Sequence, residues 1–162
     1  MVKIRPVNPD DAEAICAIYN HYVQNTCISF EEDDVNASEM SRRIIDVTET
    51  LPWLVVENDG VVDGYAYATK WRARSAYRFA VEISVYLSQN SIGKGYGTNL
   101  YISLIDHLAT LGVHAVIAGI ALPNEKSIKL HEKMGLKKVA HFEQVGFKNQ
   151  QWIDVGYWQK ML

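Results

Sequence analysis

The stretch that decides the fold begins with Val81-Glu-Ile-Ser-Val-Tyr-Leu87 and continues through Gly93-Lys-Gly95-Tyr-Gly97 into a leucine-rich segment. Apolar and polar residues alternate in the first part, which predicts a β-strand over residues 79–87. Leucines at positions 100, 104, 108 and 111 recur at helical spacing, which predicts a helix over residues 95–111. The chain therefore passes from a strand through a glycine loop into a helix.

The glycine loop between this strand and this helix is suited to hold a phosphate group. Glycine lets backbone N–H groups approach a phosphate closely, and the N-terminus of a helix carries a positive partial charge. A Rossmann fingerprint requires a third glycine where Thr98 stands, and a Walker loop requires Ser or Thr directly after Lys94. The pattern therefore indicates a pyrophosphate loop of another kind, with a tight structural turn as the alternative.

The rest of the chain predicts further strands and helices around this unit. Strands are predicted over residues 2–7, 53–57, 61–69 and 113–120, with two more inside 137–159. Helices are predicted over residues 10–24, 37–48 and 124–134, and the Asp59-Gly60 pair predicts a tight hairpin. Because no repeat or linker interrupts this order, we expect one α+β domain over residues 1–162, a mixed sheet with helices on both faces.

Composition and charge exclude several classes of function. Hydrophobic residues make up 48% of the chain and charged residues 22%, as is typical of globular proteins, and the net charge of -3 disfavours nucleic acid. The chain begins with no apolar signal segment and has no run long enough to span a bilayer. Cys16 and Cys27 are too few for a four-thiolate zinc site or a disulfide framework. We therefore expect a cytoplasmic protein without a metal, membrane or nucleic-acid partner.

Glu82 is an unusual residue for a central strand. Strand alternation places it on the same face as Ser84 and Tyr86. A carboxylate half-buried in a cleft has a raised pKa, which suits it to take a proton from an ammonium group directly or through one water. The alternative is a structural ion pair with one of the arginines of the preceding loop.

That preceding loop is strongly cationic. Its positive side chains are those of Lys70, Arg72, Arg74 and Arg78. Arginine binds carboxylate or phosphinate oxygens through two parallel hydrogen bonds, so the loop is suited to an anionic substrate. The alternative is a solvent-exposed loop whose positive charge is balanced by the acidic residues at 31–34.

The glycine loop resembles that of the GCN5-related N-acetyltransferase (GNAT) superfamily. Ile92-Gly-Lys-Gly95-Tyr-Gly97 follows the superfamily's Gln/Arg-x-x-Gly-x-Gly/Ala pattern in all but its first position. Asn124-Glu-Lys-Ser127 and Leu130-His-Glu-Lys-Met-Gly135 are similar to a second segment of the superfamily. Further similarity, at Glu82-Ile-Ser-Val-Tyr86 and Trp152-Ile-Asp154 among other segments, points to the phosphinothricin N-acetyltransferase-like branch.

This resemblance implies a GNAT fold, a mostly antiparallel sheet of about seven strands that splays between the fourth and fifth strands. It implies acetyl-CoA as the acetyl donor and the α-amine of phosphinothricin, methionine sulfoximine or methionine sulfone as the acceptor, with direct transfer and no acyl-enzyme. It also implies a homodimer. Alternatives are an acetyltransferase for another small amine or a protein N-terminus, or a non-catalytic coenzyme-binding module, which the departure at Ile92 leaves open.

The resemblance also implies roles for individual residues. Glu82 is the expected base, and His131 stands where many relatives have a tyrosine acid, so that it donates or relays a proton or packs in the core. The residues expected to bind acetyl-CoA are Val85, Tyr86, Leu87, Gly93, Lys94, Gly95, Tyr96, Gly97, Thr98, Asn124 and Ser127. The residues expected to bind the acceptor are Phe30, Glu31, Arg72 and Arg74.

Overall fold

A computed structural model describes residues 1–162 and contains seven strands, four α-helices and three short 3-10 turns. The strands are β1 (Val2–Pro6), β2 (Trp53–Asn58), β3 (Val61–Lys70), β4 (Ala80–Leu87), β5 (Ala115–Ala121), β6 (Lys137–Lys148) and β7 (Gln151–Met161). The helices are α1 (Ala12–Asn25), α2 (Ala37–Thr48), α3 (Tyr96–Thr110) and α4 (Glu125–Lys133). The 3-10 turns are Pro9–Asp11, Ser75–Tyr77 and Gln89–Ser91.

All seven strands form one sheet in the order β1-β2-β3-β4-β5-β7-β6. Every neighbouring pair is antiparallel except β4 and β5, which run parallel. These two strands pair only from Ala80–Glu82 to Ala115–Ile117, whereas β4 pairs with β3 as far as Leu87. The second half of β4 therefore has no neighbour on its β5 side, and the predicted splay between the fourth and fifth strands is confirmed.

Helices cover both faces of the sheet, as the sequence predicts. On one face α3 and α4 pack over an apolar core that includes Val56, Ile83 and Leu104. On the other face α1 and α2 pack over a second core that includes Ile15 and Tyr65. None of the helices combines the length and the apolarity that crossing a membrane requires.

The tight hairpin between β2 and β3 forms where the sequence predicts it. Asp59 has φ +49° and Gly60 has φ +86°, so both residues of the two-residue loop lie in the left-handed region. This geometry is the type I′ turn, whose twist matches that of the flanking strands.

The start of α1 differs from the prediction of a helix over residues 10–24. Pro9–Asp11 form a 3-10 turn, and the α-helix begins at Ala12. The Asp11 carboxylate accepts hydrogen bonds from the Arg5 guanidinium at 2.8 and 2.9 Å and from the Asn8 N–H at 2.7 Å. These contacts join the turn to β1 and favour a 3-10 conformation at residues 9–11. Helical periodicity alone does not reveal such contacts.

Candidate active site

The unpaired half of β4 turns backbone groups into the gap beside β5. The Ala80 carbonyl and the Ser88 N–H both bond toward β3. Because successive residues of a strand point their backbone groups to opposite sides, the N–H groups of Val85 and Leu87 point into the gap instead. The gap therefore offers hydrogen-bond donors where an oxyanion would form in an acyl transfer.

The glycine loop leads from this gap into α3. Gly93 has φ +84° and Gly95 has φ +81°, conformations that other residues rarely adopt. The first hydrogen bond of α3 runs from Asn99 N–H to Gly95 O at 3.1 Å, so the amides of residues 96–98 have no acceptor within the helix. Together with the N-terminal helix dipole, these amides are suited to bind an anion, and the expectation that residues 93–98 hold the coenzyme stays a prediction.

A narrow cleft of about 60 Å³ continues from the gap between α3, α4 and β5. The Asn124 side chain caps α4 by accepting a hydrogen bond from Ser127 N–H at 3.2 Å, which places both residues on the cleft wall. The predicted residues that line this cleft are Val85, Tyr86, Asn124, Ser127 and His131. The fold thus joins β4 and α4, far apart in sequence, around one channel.

His131 is buried, and both nitrogens of its ring have partners inside the protein. Nδ1 lies 2.7 Å from the Ser127 carbonyl, which can only accept, so Nδ1 carries the proton. Nε2 lies 2.9 Å from the Tyr101 hydroxyl, and in the neutral ring it accepts a hydrogen bond from that hydroxyl. Burial lowers the pKa of His131, which favours that neutral form. The Tyr101 hydroxyl and the Ser127 carbonyl occupy both ring nitrogens, and the expectation that His131 donates or relays a proton stays a prediction.

Glu82 lies on the opposite side of the sheet from α3, in an open cavity of about 330 Å³. It shares this cavity with Phe30, Gly119 and Tyr157. Burial raises the pKa of the Glu82 carboxyl above its ordinary value, and the positive charge of Arg72 partly opposes the rise. No salt bridge of the protein includes Glu82, so the structural ion pair considered above does not form.

The two arginines predicted to bind the acceptor lie on the exposed loop before β4. The Arg72 guanidinium stacks over the Trp71 ring at 4.6 Å, and Trp71 packs edge-on against Tyr157 of the cavity at 5.6 Å. Arg74 precedes the 3-10 turn Ser75–Tyr77 and does not line the cavity. The structure thus connects Arg72 to Glu82 electrostatically and leaves Arg74 at the surface.

Phe30 and Glu31 lie in the segment between α1 and α2, and their surroundings differ. The Phe30 ring lines the cavity that holds Glu82. Both Glu31 carboxylate oxygens accept hydrogen bonds from Arg43, at 2.7 and 2.9 Å, and one also accepts from Tyr19. The carboxylate thereby holds the segment against α2, and the expectation that Glu31 binds the acceptor stays a prediction.

Comparison with known proteins agrees with this geometry. The family described as "Acetyltransferase (GNAT) domain" matches residues 4–156. The chain belongs to the GNAT acetyltransferase family. This GNAT domain is 41% identical to a phosphinothricin N-acetyltransferase of Alcaligenes faecalis, over 98% of this chain and 82% of that protein. It is 36% identical to an L-methionine sulfoximine/L-methionine sulfone acetyltransferase of Salmonella typhimurium, over 98% and 94%.

A solved structure shows the same architecture. It is a GNAT superfamily phosphinothricin acetyltransferase from Sinorhizobium meliloti in complex with acetyl-CoA, with a TM-score of 0.96 and 35% identity. The match covers 99% of this GNAT domain and 88% of that chain. The predicted fold, family and acetyltransferase activity are thereby confirmed.

Sequence reasoning missed two polar residues near the GNAT site. Tyr101 lies on the apolar face of α3, where helical spacing marks it only as a core residue. Lys148 is buried near the end of β6, where strand alternation predicts no buried charge. The structure contains no group of three or more His, Cys, Asp or Glu side chains placed to hold a metal.

Proposed function

We propose that this GNAT protein transfers the acetyl group of acetyl-CoA to the α-amine of a small amino-acid-like acceptor such as phosphinothricin, methionine sulfoximine or methionine sulfone. One observation carries the proposal. Glu82 is a half-buried carboxylate without an ion-pair partner, at the edge of a cavity wide enough for such a molecule. The relatives named for these acceptors support the choice of acceptor.

The donor lies along the gap and the glycine loop in this proposal. The amides of residues 96–98 hold the pyrophosphate, with Gly93, Lys94 and Gly95 allowing its close approach. Asn124 and Ser127 line the cleft for the pantetheine arm. The complex of the Sinorhizobium meliloti relative with acetyl-CoA supports this placement.

The reaction is a direct transfer. Glu82 takes a proton from the acceptor's ammonium group, and the neutral amine attacks the thioester carbonyl carbon. The N–H groups of Val85 and Leu87 stabilise the oxyanion that forms. The C–N bond forms and the C–S bond breaks, and the second proton that the attacking nitrogen must lose passes to the leaving thiolate of the coenzyme.

His131 acts through Tyr101 in this proposal. A proton that reaches the Tyr101 oxygen from the cleft moves the tyrosine's own proton onto His131 Nε2, and the reverse movement returns a proton to the thiolate. The Ser127 carbonyl holds the ring in the required tautomer. The proposal therefore keeps the relay role expected from the sequence, with Tyr101 and His131 both on the cleft wall.

The acceptor is held by its anionic group and by its side chain. Arg72 and Arg74 bind the carboxylate or phosphinate from the exposed loop. The aromatic ring of Phe30 and the apolar side chains of Val145 and Val155 border its side chain. A polyamine is positively charged, and this cationic loop would repel it.

We also propose that two copies associate through the β6–β7 hairpin. This surface exposes a row of large apolar side chains, unlike the charged faces of α2 and α4. They are Val139, Phe142, Val145, Phe147 and Trp152. The two free cysteines, Cys16 and Cys27, support a reducing compartment such as the cytoplasm.

The test is thiol release from acetyl-CoA by the purified protein. The panel contains phosphinothricin, methionine sulfoximine, methionine sulfone, spermidine and a short peptide with a free N-terminus. Release that depends on one of the first three supports the proposal. Release with only spermidine or only the peptide would mean that the protein acetylates a different class of amine. Binding of acetyl-CoA without any thiol release would mean that the protein is a non-catalytic binding module.

A further inference from the structure

Lys148, near the end of β6, is one of the few charged residues buried in this protein. Only 3% of its surface is exposed, and its ammonium donates a hydrogen bond to the Ser29 carbonyl at 2.6 Å. Taking an ammonium out of water costs several kcal/mol, and an apolar side chain in its place is often as stable or more stable. Stability alone therefore does not account for a lysine at this position.

The partner of Lys148 belongs to the segment between α1 and α2, residues 26–36. Ser29 is buried as well, and its hydroxyl lies 2.8 Å from the Tyr19 hydroxyl of α1. On the other side Glu31 pairs with Arg43 of α2. The segment is thus tied to both helices at one edge, and the Lys148 ammonium bonds it to β6 at the other.

The residue between these anchors is Phe30, which lines the cavity that holds Glu82. Its ring lies directly on Gly146 of β6, where an added Cβ would stand 2.5 Å from Phe30 Cζ. Gly146 and Lys148 both point to the buried side of β6, two residues apart. One strand therefore supplies both the flat surface under the Phe30 ring and the bond that holds the neighbouring Ser29 carbonyl.

We propose that Lys148 is a positioning residue that fixes Phe30 as a wall of the acceptor cavity, and so sets the fit of the acceptor's side chain. The effect on the acceptor rests on the proposed function, whereas the anchoring of residues 26–36 by Lys148 does not depend on it. The glycine loop lies between β4 and α3, outside this contact, whereas Ile28, next to Ser29, lines the cleft beside β5 as well as the cavity. Lys148 therefore acts chiefly on the acceptor, through Phe30, and only weakly on acetyl-CoA.

The variant that tests this is Lys148→Met, which keeps the length and removes the ammonium. We expect the Michaelis constant for the acceptor to rise about tenfold, while kcat and the Michaelis constant for acetyl-CoA stay within about twofold of the original protein. The melting temperature should change little, because the gain from removing an ammonium from the interior is offset by the Ser29 carbonyl losing its donor. The matched control is Lys137→Met, an exposed lysine of the same strand, which should change none of these values.

Two further measurements keep the proposal testable by itself. Hydrogen exchange of the amides of residues 26–36 should speed up in Lys148→Met and not in Lys137→Met, whichever acceptor the protein uses. Gly146→Ala, which displaces the Phe30 ring, should raise the acceptor's Michaelis constant in the same way. Unchanged exchange in Lys148→Met, or equal losses for acceptor and acetyl-CoA, would overturn the proposal. Faster exchange in a protein that acetylates none of the panel would support the anchoring and refute the proposed function.

Discussion

At the scale of single residues, we expect turnover to depend most directly on Glu82. Glu82→Gln keeps the shape of the side chain and removes the base. We expect kcat to fall by about 10² to 10³-fold, with the Michaelis constant for acetyl-CoA unchanged because the glycine loop is distant. Steady-state kinetics at neutral pH measures both, and Glu49→Gln, an exposed glutamate at the end of α2, is the control. A parallel loss of turnover and coenzyme affinity would mean that Glu82 is structural.

We expect the charge of Arg72 to influence the pH at which Glu82 becomes active as a base. Glu82 accepts a proton only when ionised, so activity rises with pH through its pKa, which burial raises and the Arg72 charge lowers. Arg72→Ala removes the lowering charge, and we expect the acidic limb of kcat/KM to move to higher pH. Arg74→Ala serves as the comparison, since no effect of Arg74 on Glu82 is present. We expect both variants to raise the acceptor's Michaelis constant, whereas only Arg72→Ala should move the acidic limb.

At the scale of secondary-structure elements, α3 carries a left-handed glycine at each end. Gly95 precedes its first turn with φ +81°, and Gly112 follows its last turn with φ +79°. Neither site has an atom within 4 Å of an added Cβ, so alanine introduces backbone strain without a steric clash. Each alanine should cost about 1 to 2 kcal/mol of unfolding free energy, measured by urea denaturation.

Only one of these two glycines belongs to the proposed coenzyme site. Gly95→Ala should raise the Michaelis constant for acetyl-CoA severalfold, because strain in the loop moves the amides of residues 96–98. Gly112→Ala should leave the Michaelis constant for acetyl-CoA unchanged, although its unfolding free energy should fall by a similar amount. If the two variants weakened acetyl-CoA binding equally, the loop would act through general stability instead.

At the scale of the whole molecule, we expect the apolar surface of β6 and β7 to mediate the proposed association of two copies. Phe147 and Trp152 are both more than half exposed and pack against each other with ring centroids 4.7 Å apart. We expect the protein to sediment as a dimer and the double variant Phe147→Ser, Trp152→Ser to sediment as a folded monomer. Ile45→Ser, at an exposed apolar site on α2, is the control and should remain dimeric. A wild-type protein that sediments as a monomer at all concentrations would contradict the proposed interface.

The sequence by itself determined the features that depend on residues close together in the chain. Strand alternation placed Glu82 on one face of β4, and the Asp59-Gly60 pair formed its predicted turn. Leucine spacing predicted α3 to within one residue at each end. Local backbone preferences and the period of side chains along an element govern all of these, and both can be read from neighbouring residues.

The tertiary structure alone decided the partners of the polar side chains. Glu31 pairs with Arg43 across 12 positions, His131 meets Tyr101 across 30, and Lys148 reaches Ser29 across 119. Buried polar groups must find hydrogen-bond partners, and which partner is within 3 Å depends on how the sheet and helices pack. The sequence therefore identified the strand and the glycine loop, whereas only packing revealed that the Glu31 carboxylate pairs with Arg43 and that His131 bonds to Tyr101.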